Sequence, residues 1–291
     1  MTAVKVALAQ FAGTEDIDEN VTKIETQMSE AASEGAQLIA FHELATTTYF
    51  CFENQNAERF DLAEPIPGPS TDRVAAAAKA LGIHVLFPLY EAVGDTRYNT
   101  AAMISPDKGL ERIYRKSHVP TSKPRKGQQG ADEAWYFSPG DTGFNVWETS
   151  LGLNVGVVIC YDRHFPEGPR IYGLKGAHLI FAPTASYRKF VIETMWEPTL
   201  QATAWSNTLY VAGINKVGPI THPAIDAMYP GRSVMFDPEG VRLGIANDQE
   251  GISYFDVDPS YVEECRTALN FYNYRRPDLY GALVEPVDRG S

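Results

Sequence analysis

The stretch 153–167 constrains this chain more than any other. An apolar run, Leu153-Asn154-Val155-Gly156-Val157-Val158-Ile159, ends abruptly at Cys160 and a polar cluster, Tyr161-Asp162-Arg163-His164. Valine and isoleucine packed this closely read as a strand buried on both faces. Pro166 then opens a predicted helix running to Lys175, ahead of Gly176. Cys160 is thereby predicted at the tip of a central strand, and the carboxyl ends of strands are where open α/β sheets bind ligands. The competing reading of one cysteine in an apolar run is a buried core thiol.

The pattern recurs along the chain. Residues 4–10, 37–41, 83–90, 98–104, 110–114, 178–183 and 208–215 read as strands. Helices are predicted over 21–34, stopped by Gly35, over 70–81 with Ser70 as cap and Gly82 as stop, and over 196–207. Residues 232–236, 241–245 and 252–256 alternate like hairpin strands around Asp237-Pro238-Glu239-Gly240. A helix over 260–269 and an extended tail complete the chain. Strands and helices interleave with hairpins among them, so the sheet is mixed and residues 1–291 offer no point of division into domains.

A formal net charge of -12 argues against a nucleic-acid or anionic-membrane partner. No apolar run approaches membrane-spanning length, and residues 1–5 pass straight into a strand-like run with no export signal read there. Three widely spaced cysteines, Cys51, Cys160 and Cys265, fit a reducing cytoplasm better than a disulfide framework. The histidines His42, His84, His118, His164, His178 and His222 lack paired-ligand spacing, and no Gly-rich phosphate loop is present. Neither a catalytic metal nor a cofactor is expected.

Three reactive groups are predicted at strand tips: Glu43, Lys116 and Cys160. They are the parts of an acyl-transfer site. A thiol attacks poorly until a base such as Glu43 removes its proton. Lys116 and the backbone N–H after Cys160 can stabilise the resulting oxyanion, and the protonated glutamate can then acidify the leaving nitrogen. Spacing alone does not bring the three together.

Three segments carry a resemblance: Phe41-His42-Glu43-Leu44, Tyr114-Arg115-Lys116-Ser117-His118-Val119-Pro120, and Val157 to Glu167. They resemble, in order, the Glu, Lys and Cys signatures of the nitrilase, or carbon-nitrogen hydrolase, superfamily. The resemblance runs through Asn215 and into the tail motif Arg275-Arg276-Pro277-Asp278-Leu279-Tyr280. It implies an α/β fold, a four-layer αββα sandwich whose two mixed sheets face each other. It also implies a homodimer or higher homo-oligomer, with the tail from about residue 270 in subunit contacts. For the site, it implies a thioester-type intermediate on Cys160, Glu43 as base, Lys116 as oxyanion partner and Glu133 as a second glutamate beside the lysine. A solvated surface glutamate is the competing reading of Glu133.

Tyr161 and Asp162 stand where true nitrilases commonly have tryptophan and glutamate, which favours amide over nitrile hydrolysis. Glu43-Leu44-Ala45-Thr46-Thr47-Thr48-Tyr49-Phe50 is similar to N-carbamoyl-amino-acid amidohydrolases. Tyr49-Phe50-Cys51 and Ala63-Glu64-Pro65-Ile66-Pro67-Gly68-Pro69 resemble N-carbamoylputrescine amidases, and Glu193-Thr194-Met195-Trp196 the β-ureidopropionases. The expectation is a hydrolase of a small N-carbamoyl amide, of the N-carbamoyl-β-alanine or N-carbamoyl amino acid type, releasing ammonia and carbon dioxide. An aliphatic amidase, an N-carbamoylputrescine amidase and a non-catalytic binding module are the alternatives. Tyr49, Tyr161, Arg163 and His164 are the candidate substrate contacts. Arg163 either receives a substrate carboxylate or pairs with Asp162 or Glu167 to hold the turn. The segment 121–132 is either a lid or surface slack.

Overall fold

The computed structural model describes residues 3–53, 55–123, 130–187, 191–220, 225 and 227–286. In chain order the strands are β1 (Val4–Gln10), β2 (Leu38–Phe41), β3 (His84–Val93), β4 (Thr96–Ser105), β5 (Gly109–Arg115), β6 (Thr121–Ser122), β7 (Ala131–Asp132), β8 (Trp147–Glu148), β9 (Asn154–Val157), β10 (Leu179–Thr184), β11 (Tyr210–Asn215), β12 (Val217–Pro219), β13 (Met228–Pro230), β14 (Val234–Phe236), β15 (Arg242–Ile245) and β16 (Gly251–Val257). The α-helices are α1 (Ile17–Ser33), α2 (Pro69–Leu81), α3 (Glu133–Tyr136), α4 (Glu167–Leu174), α5 (Trp196–Asn207) and α6 (Pro259–Leu269).

Two six-stranded mixed sheets carry the structure, one ordered β16-β1-β2-β3-β4-β5 and the other β15-β14-β11-β10-β9-β8. Their facing sides share one core, in which Val6, Leu8, Leu38, Ala40 and Leu86 meet Val155, Val157, Leu179, Phe181, Ala212 and Ile214. The alternate residues point outward. Ala7, Ala9, Ile39, Phe41, Val85 and Phe87 pack under α1 and α2 through Val21, Ile24, Met28, Val74 and Ala78. On the other side Ile180, Ala182 and Val211 pack under Tyr172, Trp196, Leu200 and Ala204 of α4 and α5. Both faces of the inner strands are therefore covered, which is why their sequences read as continuous apolar runs. The result is the expected four-layer αββα arrangement.

Several local expectations shift. The first helix begins at Ile17 and not at 21, because Asp16 caps it by accepting from the Glu19 N–H and its first turn is polar. Gly68, and not Ser70, is the cap of α2. The Thr71 hydroxyl closes that end by accepting from the Gly68 N–H, while Ser70 lies buried inside the helix. The strand before Cys160 is not central: β9 lies between β10 and the two-residue edge strand β8. The 252–256 run is no partner of the β14–β15 hairpin. It crosses to the other sheet and pairs antiparallel with β1, Val6 opposite Phe255. The tail folds into short 3₁₀ turns at Pro277–Leu279 and Gly281–Val284 where an extended segment was expected. Within 121–132, β6 and β7 pair, and the remainder of the proposed lid, 124–129, lies outside the described residues. Among the described residues no helix is long and apolar enough to cross a membrane.

The parallel strands send their carboxyl ends to one edge of the molecule, where the site is built. Gly140 fixes one of those ends. Its N–H donates to the Lys116 carbonyl at 2.8 Å, and a Cβ there would lie 2.1 Å from the Arg115 carbonyl oxygen. The nearest atoms are the Arg115 carbonyl group and its Cβ, none of which is the end of a flexible side chain. Gly140→Ala should therefore displace the end of β5 and destabilise the protein by about 1–3 kcal/mol, read as a lower urea midpoint. An unchanged midpoint would show that this approach is looser than described.

Candidate active site

Glu43 follows β2 after a single residue and is completely buried. Leu44 then turns the chain with φ +48°, into the left-handed region that side-chain-bearing residues seldom occupy. The Glu43 carboxylate has three donors. Oε1 accepts from Asn99 Nδ2 and from Lys116 Nζ, each at 2.8 Å. Oε2 accepts from the Ala185 N–H at 2.9 Å, which joins the end of one sheet to the loop after β10 in the other. Lys116, one residue beyond β5, also donates to Glu133 Oε2 at 2.6 Å. Glu133 opens α3, and its Oε1 accepts from the Tyr49 hydroxyl at 2.6 Å. It is buried, so the surface-glutamate reading of Glu133 is set aside.

One ammonium thus lies between two carboxylates, all three out of water. Burial alone would pull the Lys116 amine down, but Glu133, Glu43 and Cys160 hold it well above its ordinary range, so it stays charged. Burial, with Glu43 nearby, raises the Glu133 carboxyl against the pull of Lys116. One cation cannot fully compensate two interior anions, and a raised carboxyl pKa is how the imbalance is relieved.

Cys160 begins a 3₁₀ turn, 160–164, separated from β9 by two residues, with φ +47°. A non-glycine residue in that region is strained and persists where surrounding bonds fix it. Asp162 supplies those bonds from a buried carboxylate. Its Oδ2 accepts from the Ile159 N–H at 3.0 Å and the Tyr114 hydroxyl at 2.8 Å. Its Oδ1 accepts from the His118 N–H at 2.8 Å and lies 2.7 Å from the His118 ring Nδ1. The His118 ring stacks on Phe165 with centroids 3.7 Å apart. Tyr114 and His118 flank Lys116 in sequence, so Asp162 locks the cysteine turn to the lysine strand. Burial, then Glu43, pushes the Cys160 thiol up to about 12, against Lys116 and Arg163. At rest it is a thiol that waits for a base.

Cys160 and Glu133 lie at the floor of a cavity of about 140 Å³ whose walls include Tyr49, Phe52, Tyr161, Arg163, His164 and Tyr187. All four predicted substrate contacts therefore line the space above the thiol. Tyr161 remains part-exposed at its rim, and burial with Arg163 pulls His164 down to about 4, leaving it neutral near pH 7. Phe50 and Cys51 turn into an aromatic core instead. Arg163 holds the turn, but not through Asp162 or Glu167. Its Nη1 donates to the Cys160 carbonyl at 2.6 Å and lies 3.6 Å from the sulfur, while the guanidinium sits 5.3 Å over the Trp196 ring.

Sequence reading missed Asn99, Ala185 and Asp162 as parts of this site. Asn99 lies inside its predicted strand and Ala185 carries no reactive side chain, so the strand-tip rule that singled out Glu43 and Cys160 reaches neither. From the sequence Asp162 is expected only as a partner of Arg163. Away from this edge, His84, Asp107 and Glu111 bring possible ligand atoms within 4.8 Å of one another, near the opposite ends of β3 and β5, where Lys108 pairs with Glu111. No metal is placed at the Cys160 cavity by these residues.

Comparison with known proteins supplies the class. The carbon-nitrogen hydrolase family matches residues 5–267, and the chain belongs to that family. It is 34% identical to an N-carbamoylputrescine amidase of Solanum lycopersicum, over 97% of this chain and 95% of that protein. It is 34% identical to a citrullinase of Francisella tularensis subsp. tularensis, over 98% and 99% of the two chains. Among solved structures, a carbon-nitrogen hydrolase from Helicobacter pylori superposes with a TM-score of 0.89 at 26% identity, covering 98% of this chain and all of that one.

Replacing Lys116 by methionine leaves Glu43 and Glu133 facing each other without a cation. The expected loss of stability is about 3–5 kcal/mol at pH 8. Part of it should return at pH 5, because the Glu133 carboxyl, raised by burial, takes up a proton there and relieves the repulsion. Urea unfolding at both pH values checks this; a loss that does not shrink at pH 5 would show that the two carboxylates do not repel.

Proposed function

We propose that this protein hydrolyses the ureido C–N bond of small linear N-carbamoyl compounds through a covalent intermediate on Cys160. The observation that carries the reading is the buried Glu43–Lys116–Glu133 cluster, whose Glu133 lines the same cavity as Cys160. Glu43 takes the thiol proton as sulfur attacks the ureido carbon, which answers the problem of a thiol held at about 12. Lys116 and the Tyr161 N–H face the oxyanion that develops. Glu43 returns its proton to the departing ammonia, leaving a thiocarbamate on sulfur. Water, deprotonated by Glu43, then releases a carbamate that loses carbon dioxide to give the free amine. Glu133, held by Tyr49 and Lys116, accepts hydrogen bonds from the ureido N–H groups.

Both curated relatives bear names that point to a ureido group on an unbranched chain. A narrow cavity walled by Tyr49, Phe52 and Tyr187 suits such a chain. With its Nη1 engaged on the Cys160 carbonyl, Arg163 holds the nucleophile in place, and carboxylate binding is not needed to explain its burial. N-Carbamoyl amino acids and N-carbamoylputrescine therefore stand as candidates on equal terms. The exposed Leu279, Leu283 and Val284 of the tail support contact with a second copy of the chain.

Ammonia release from N-carbamoylputrescine, citrulline, N-carbamoyl-β-alanine and propionamide, with the Cys160→Ala protein as blank, tests the reading. At least one ureido compound should turn over at 10² or more times the blank, and faster than propionamide, following the loss expected when a covalent nucleophile is removed, about 10³-fold or greater. Equal release by the blank would remove Cys160 from the mechanism, and preference for propionamide would make the protein an acyl amidase.

A further inference from the structure

Lys216 takes no part in the chemistry above, yet it is 2% exposed. It follows β11 directly. Its N–H donates to the Thr184 carbonyl at 3.2 Å, and its carbonyl accepts from the Gly231 N–H at 2.9 Å. Its amine reaches out of the Cys160 sheet and donates to the Thr47 carbonyl at 2.8 Å, in the turn that starts at Glu43. Thr47 closes that turn by donating its N–H to the Leu44 carbonyl at 3.2 Å. Asn215, the preceding residue, fixes the other side of the same carboxylate. Its Oδ1 accepts from the Ser186 N–H at 2.8 Å and its Nδ2 donates to the Ser186 carbonyl at 3.0 Å. Ser186 adjoins Ala185, whose N–H donates to Glu43 Oε2. Two consecutive residues at one strand tip thus grip both backbone segments that set the position of Glu43.

We propose that Lys216 is a positioning residue for C–N hydrolysis, holding Glu43 in register with Cys160 by tying Thr47 to the end of β11. The proposal rests on Glu43 acting as the base. Proximity is the physical reason such a tether matters, since a shift of about 1 Å in a reacting group can lower a rate on the order of 10²-fold. The packing leaves the amine little room: a Cβ on Gly13 would lie 3.0 Å from Nζ and 3.2 Å from the Thr47 carbonyl oxygen.

The tether also carries a charge that can change. Among the described residues the amine donates to Thr47 alone, so a buried ammonium would have two further N–H groups with no acceptor among those residues. Burial pulls the amine down to about 7, with Glu43 and Glu15 acting in the opposite sense. The titratable groups facing it are His42 and Glu43 beyond β2, Glu15 before α1 and Tyr229 of β13. Burial and Lys216 hold His42 well below its usual range, and burial and Glu43 hold the Tyr229 phenol well above its own, so both stay neutral around pH 7. The ammonium form weakens Glu43 as a base; the neutral amine leaves it more basic. Turnover should therefore rise as pH passes upward through about 7, the value to which the Lys216 amine is lowered.

Lys216→Met keeps the bulk and removes the donor and the charge. With N-carbamoylputrescine as substrate, the expected kcat falls by about 10- to 100-fold while KM stays within about threefold. The acid limb of kcat/KM near pH 7 should vanish in the variant. Gly13→Ala, which presses on the same contact, should lower kcat by a smaller factor and keep the limb. Alkylation of Cys160 by iodoacetamide gives the same comparison without a substrate. A Lys216→Met protein with kcat within about twofold of the parent and the same acid limb overturns the proposal. So does a loss of kcat with the limb unmoved, which would mark a merely structural role. If the methionine variant does not fold, unchanged kcat and alkylation in Gly13→Ala overturn it. Retained turnover in Glu43→Gln would instead overturn the base assignment, a failure distinct from that of Lys216.

Discussion

The lysine held between two glutamates is the interaction on which the rest of this site depends. Lys116, Glu43 and Glu133 come from the ends of β5 and β2 and from the start of α3, and none is solvated. Isolated ions in such surroundings are prohibitive, so each is tolerable only because the others are there. Burial, with Glu43 nearby, raises Glu133 against the pull of Lys116, and two carboxylates stand beside one lasting cation. That is the pairing an acyl transfer needs: a base for the nucleophile and a positive charge for the oxyanion.

The second sheet contributes Cys160 and is locked to the first by polar bonds as well as by the shared core. Asp162 bonds the cysteine turn to Tyr114 and His118, which bracket Lys116. The Ala185 N–H reaches Glu43, and Lys216 reaches Thr47. Because Cys160 holds a left-handed backbone angle, its sulfur is directed by the turn more than by the strand. Burial, then Glu43, holds that thiol up at about 12.

Much of this was legible in the sequence because strands buried on both faces are written as apolar runs, and the residues that end them stand out. Glu43, Lys116 and Cys160 stand just beyond such runs, and α5 matches its predicted limits of 196–207. Three kinds of feature were hidden. Sheet membership was one: nothing in Gly251–Val257 states that it leaves the β14–β15 hairpin to pair with β1, since that choice depends on partners some 250 residues away in sequence. Caps made by backbone were another, as at Gly68, where the adjacent Ser70 looked like the better candidate. The supporting polar residues were the third. Asn99, Asp162 and Lys216 resemble ordinary turn or surface residues until the fold shows that their partners lie 48 to 169 residues away or at a buried carboxylate.

The central claim is that the ureido carbon becomes bonded to one sulfur. The most direct test is acid-quenched peptide mass spectrometry during turnover of N-carbamoylputrescine, with the Cys160→Ala protein as control. The account predicts a transient added mass, equal to the substrate less ammonia, on the peptide containing Cys160. It predicts no such mass on the peptides containing Cys51 or Cys265. Steady product formation with Cys160 unmodified at every quench time would contradict it.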